Sequence, residues 1–109
     1  MATRLKDGLN DLLLRMEVPG CASGVSSVIF LRIGVDHECD REVCSLSPED
    51  IHTTEEPARL RQFTLAMYNH GVDCGFRFLL GAKHTSQDID DTVDAAGKAL
   101  SELRGEGLL

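Results

Sequence analysis

GFRFLLGAKHTSQDID, residues Gly75 to Asp90, compresses a strand, a change of direction and a helix start into one short stretch. Phe76, Phe78 and Leu80 alternate with Arg77 and Leu79, the period of two that marks a strand. Thr85 offers a hydroxyl to cap a helix. Asp88, three residues on, completes a capping-box-like pattern. Lys83 and His84 lie between the two elements. A strand feeding a capped helix makes the chain a mixed α and β fold, and the flanking sequence is read from there.

Downstream, Ser86 to about Leu103 reads as a helix with Ile89, Val93, Ala96, Leu100 and Leu103 on one face. Asp88, Asp90 and Asp91 fall in its first turn, where the helix dipole favours negative charge. Gly105 and Gly107 end it. Upstream, residues 57 to 70 read as a second helix. Pro57 suits its first turn after Thr54 or Glu55, and Gly71 suits the position past its end. Leu60, Phe63, Met67 and His70 share a face. Val72 to Cys74 is a short extended lead into the strand.

The N-terminal part adds a helix over 3–17, with Thr3 as its N-cap. Its stripe of Leu5, Leu9, Leu12 or Leu13, and Met16 lies opposite Lys6, Asp7, Asn10 and Asp11. Val18-Pro19-Gly20 ends it. VSSVIFLRIG, 25 to 34, is the clearest strand. It is apolar on both faces for most of its length, as expected of a strand at a domain or subunit contact. The acid-rich segment 35–56 reads as a long exposed connection with a short strand near Glu42 to Leu46. The expected architecture is α+β: a small antiparallel or mixed sheet with about three helices packed on one face.

The chain has 109 residues, enough for a single small domain over 1–109. Its formal net charge of −7, from 18 acids and 11 bases, argues against nucleic acid and against anionic membrane surfaces as partners. No apolar run approaches the ~20 residues that span a bilayer. The N-terminus lacks a secretory h-region. Cys21, Cys39, Cys44 and Cys74 are too sparse for a disulfide scaffold, so thiols in the reducing cytoplasm are expected.

No catalytic constellation is complete. His37, Cys39 and Cys44, with Asp36 or Asp40, supply zinc-type ligands, but the C-x4-C spacing matches no common structural knuckle. No metal site is therefore assigned, and a small zinc-binding protein stands as an alternative. Nothing selects a partner for any cysteine among His37, His52, His70 and His84. Ser23-Gly24-Val25-Ser26-Ser27 is a turn entering a strand rather than a phosphate loop. Thr85 is explained as an N-cap, and His84 as a residue packed over the helix start.

The run FTLAMYNHGVDCG at Phe63–Gly75, continued by FLLGAKHTSQDIDDTVDAAGKALSEL from Phe78, resembles the C-terminal end of class III pyridoxal-phosphate aminotransferases. The branch it most resembles is that of glutamate-1-semialdehyde 2,1-aminomutase. The likeness lies in a helix resembling Phe63–His70, the Gly71-Val72 pair, the Ala-x-His-Thr motif at Ala82–Thr85 and the acidic Asp88-Ile89-Asp90 start. RLKDGLN at Arg4–Asn10 and PGCASGVSSVIFLRIG at Pro19–Gly34 resemble the helix and first strand of the same segment. Val72 to Phe76 replaces a longer, proline-containing turn with a Phe-Glu pair, so a related transaminase parent fits as well as the aminomutase.

The resemblance implies the C-terminal small domain of a fold-type I enzyme, with pyridoxal 5'-phosphate bound in a full-length, dimeric parent. The Schiff-base lysine, the pyridinium-pairing aspartate and the phosphate cradle belong to a large domain absent from this chain. Lys6, Lys83 and Lys98 match no catalytic position. The implied partner is that large pyridoxal-phosphate-binding domain or a homologous subunit. No catalytic or cofactor-binding residue is expected here. Arg77 is the one candidate at the substrate entrance, as a carboxylate-binding side chain; its alternating position alone makes it a solvent-facing strand arginine. A non-catalytic binding or assembly module derived from the same fold is the other alternative.

Overall fold

A computed structural model describes residues 2–25, 28–34, 47–54, 56–74, 76–80 and 85–109. Among them the elements run α1 (Ala2–Met16), β1 (Gly20–Val25), β2 (Val28–Ile33), α2 (Pro48–Thr54), α3 (Pro57–Asn69), β3 (Arg77–Leu79) and α4 (Ser86–Gly105). The strands form one antiparallel sheet in the order β1-β2-β3. The expected α+β architecture holds, with four helices rather than about three.

Alternation along the central strand decides which face carries the core. Ile29, Leu31 and Ile33 are buried, whereas Val28, Phe30 and Arg32 are half-exposed. The inner residues pack with Leu5, Leu9 and Leu13 of α1, Phe63 and Met67 of α3, and Ile89, Ala96, Leu100 and Leu103 of α4. Phe76 and Phe78 join them, with the Phe63 and Phe76 rings 5.0 Å apart and tilted by 46°. Such aromatic pairs contribute about 0.5–1.5 kcal/mol beyond the area they bury.

Three helices stop in the same way. After α1, α3 and α4 a residue with positive φ (Glu17, Gly71, Gly107) turns the chain back. The next amide then bonds the carbonyl five residues earlier: Val18 to Leu13, Val72 to Met67, Leu108 to Leu103. This is the Schellman arrangement, whose apolar last residue seals the helix end against the core. Val18 is buried, and Val72 and Leu108 pack on the cluster. Gly71 and Gly107 announce two of these ends. Glu17, rather than the proline turn at Val18–Gly20, ends α1.

Several expectations change. The single strand expected over 25–34 is instead β2 (Val28–Ile33), the second half of a β-hairpin whose first half, β1, takes in Val25, paired from Gly20↔Ile33 to Val25↔Val28. Ser26 and Ser27 lie outside the described residues. Segment 35–56 is not all irregular. Pro48–Thr54 is helical, with the Ser47 hydroxyl accepting from the Asp50 amide at 3.2 Å. The expected strand over 42–46 lies outside the described residues. Glu56 caps α3, accepting from the amides of Ala58 and Arg59. Those two hydrogen bonds hold the Glu56 carboxyl below the usual carboxylate range. Thr3 lies inside the first turn of α1, because the helix begins at Ala2. Val72 to Cys74 forms no strand.

Asn10 does not lie on the solvent face. It is 8% exposed, and its amide binds the edge of β1. Nδ2 donates to the Ala22 carbonyl (2.9 Å) and to the Lys6 carbonyl (2.8 Å), and Oδ1 accepts from the Ala22 amide (3.0 Å). Lys6 Nζ donates to the Gly24 carbonyl at 2.8 Å. Helix α1 therefore occupies hydrogen-bonding groups that an edge strand would otherwise offer to another chain.

α1 and α4 are also stapled at both ends. Arg4 makes a two-bond fork with Asp90 (3.0 and 2.8 Å), and Arg104 donates to the Met16 carbonyl. The hydrogen bond from Arg4 holds the Asp90 carboxyl below its usual range. A depressed folded-state pKa contributes stability above the unfolded value, which is lost as pH falls through the folded one. Both groups are about half exposed, so the contribution is small and screened by salt. NMR titration is expected to place the Asp90 midpoint below an ordinary aspartate and to return it to the ordinary value in Arg4→Ala. An unshifted midpoint in the wild type would contradict the fork.

Candidate functional site

Strand β3 positions the site. It is short, and its register sets Arg77 opposite Phe30 and Phe78 opposite Ile29. Phe76 and Phe78 point into the core, and Arg77 is exposed on the outer face. That face also carries Phe30, with the Arg32 guanidinium 5.2 Å from its ring centroid, a cation–π distance.

Beside β3 lies a cleft of about 1240 Å³, bounded by the turn after α3 and by the first half of α4. Val72, Phe76 and Leu80 give it apolar walls. Arg77, Asp91, Asp94 and Lys98 give it polar ones. Helical spacing brings Asp91, Asp94 and Lys98 to one side of α4. The N-terminus of α4 is set by the full capping box. Thr85 Oγ accepts from the Asp88 amide (3.1 Å), and Asp88 accepts from the Thr85 amide (2.8 Å). Losing such a cap costs about 1 kcal/mol. The pattern in the sequence thus positions the helix that walls the cleft.

Burial, followed by the charge of Asp73, pushes the Cys74 thiol up to about 12, so at neutral pH it is a protonated thiol and a poor nucleophile. His70 is committed to Glu102, with Nε2 2.9 Å from Oε1, and this pair ties α3 to α4 rather than activating a nucleophile. Among the described residues no group of three or more His, Cys, Asp or Glu side chains gathers as metal ligands do. Lys83, His84, His37, Cys39 and Cys44 lie outside the described residues. No helix among the described residues is long and apolar enough to cross a membrane.

The described side chains do not build a pyridoxal-phosphate site. A Schiff-base lysine needs a desolvated amine inside a cavity beside a phosphate cradle. Lys6 is spent on the Gly24 carbonyl, and Lys98 is exposed on α4.

Of the residues singled out in the sequence, the cleft brings together Arg77, Cys74 and His70. It adds Asp91, read in the sequence only as a first-turn acid, together with Asp94 and Lys98, to which sequence reading assigned no site role. Their spacing was visible, but the cleft they face depends on where α3 ends.

No protein-family model matches the chain, and no curated protein sequence does either. Solved structures do. An omega-transaminase from Sphaerobacter thermophilus superposes with a TM-score of 0.71 at 20% identity, over 95% of this chain and 23% of that one. A beta-phenylalanine aminotransferase from Variovorax paradoxus gives 0.65 at 19% identity, over 99% of this chain and 23% of that one. At these identities the likeness is one of fold. The four helices and three strands reproduce a unit found within transaminase structures, and the chain spans under a quarter of either neighbour's length.

Proposed function

We propose that this chain is the C-terminal small domain of a class III pyridoxal-phosphate aminotransferase-like protein. The observation that carries the reading is the asymmetry of the match: nearly all of this chain is accounted for by less than a quarter of each transaminase. The Gly71-Val72 pair and the Ala82–Thr85 and Asp88–Asp90 motifs support placing it at the C-terminal end, in the glutamate-1-semialdehyde aminomutase branch or a related transaminase. In a full-length, dimeric, cytoplasmic parent it would serve amino-group transfer. The large domain would hold pyridoxal 5'-phosphate and supply the lysine.

The half-exposed outer face of the sheet, with Val28 and Phe30, suits contact with that large domain or with a homologous subunit. Arg77, exposed on the same face at the rim of the cleft, is the residue we assign to a substrate carboxylate at the entrance. A guanidinium forks naturally onto a carboxylate. By itself the chain binds no pyridoxal phosphate and transfers no amino group.

The experiment is to mix the isolated chain with pyridoxal phosphate and pass it through gel filtration. The expected result is an eluted protein without the cofactor's absorption band. A stoichiometric band that survives the column would overturn the reading.

A further inference from the structure

We draw no further inference here: the strongest candidate, the outer surface of α3 that exposes Leu65 and Tyr68 one turn apart beside Arg61, is an unpartnered helix face, and nothing in the structure shows what covers it.

Discussion

Gly20→Ala is expected to destabilise the fold by about 4 kcal/mol or more. Gly20 has φ of +146°, a region that L-residues rarely enter, and an added Cβ would sit 2.0 Å from the Arg32 carbonyl oxygen. That oxygen is backbone on the paired strand, so no side-chain rotation relieves the clash. β1 must separate from β2 over the start of the hairpin, and the inner face of the sheet opens with it. Strain of this kind belongs to the rare substitutions costing about 4 kcal/mol or more. A small domain has only about 5–15 kcal/mol in total. Gly71→Ala is the control. Its φ is +90°, but nothing lies within 4 Å of the added carbon, so only the conformational cost of about 1–2 kcal/mol remains. Urea unfolding followed by far-UV circular dichroism separates the two. A Gly20→Ala protein with a near-wild-type midpoint would contradict the close strand approach.

Asn10→Leu is expected to destabilise by about 3 kcal/mol. The substitution keeps the branched heavy-atom skeleton while removing every hydrogen-bonding group, so the loss reports mainly the hydrogen bonds. Both backbone groups of Ala22 lose the partner supplied by α1 while remaining buried, at about 1–3 kcal/mol for each orphaned group. Asn10→Asp does not rescue. A carboxylate still accepts from the Ala22 amide, but it faces the carbonyls of Ala22 and Lys6 that the native Nδ2 satisfies. Hydrogen exchange supplies a specific readout, because the Ala22 amide should lose protection in Asn10→Leu beyond the global change in stability. Retained protection at Ala22 would show that α1 does not seal this edge.

These two residues also show where sequence reading reaches and where it stops. Helix α4, with Thr85, Asp88 and its apolar stripe, was legible because cap chemistry and period are local. So were β3, from the alternation of Phe76, Arg77 and Phe78, and α3, framed by Pro57 and Gly71. Strand β1 was not. Gly20-Cys21-Ala22-Ser23-Gly24 has almost no strand propensity, and it pairs because glycine lets β2 approach closely. Asn10 was assigned to solvent because periodicity classifies residue types. Periodicity cannot see that the neighbour of Asn10 is the unpaired edge of a strand. Helix α2 did carry a signal in Ser47-Pro48-Glu49-Asp50, a cap followed by a first-turn proline and acids. Surrounding acidity obscured it.

The site was less legible than the fold. Arg77 was singled out by the family resemblance, its alternation marking it only as solvent-facing, but the cleft also needs Asp91, Asp94 and Lys98. Those residues come from a helix that only tertiary packing sets against β3 and the α3 turn. The pattern Phe30–Arg32–Arg77 likewise exists only once the register places Arg77 opposite Phe30.

The most direct test of the central claim is to trap the cofactor and map it. The chain would be produced together with whatever polypeptide its gene encodes upstream. The complex would then be loaded with pyridoxal phosphate, reduced with borohydride and digested for peptide mass mapping. The expected result is a pyridoxyl-lysine in a peptide outside residues 1–109. A stoichiometric label on Lys6, Lys83 or Lys98 would contradict the account, because this chain would then carry the reactive amine itself.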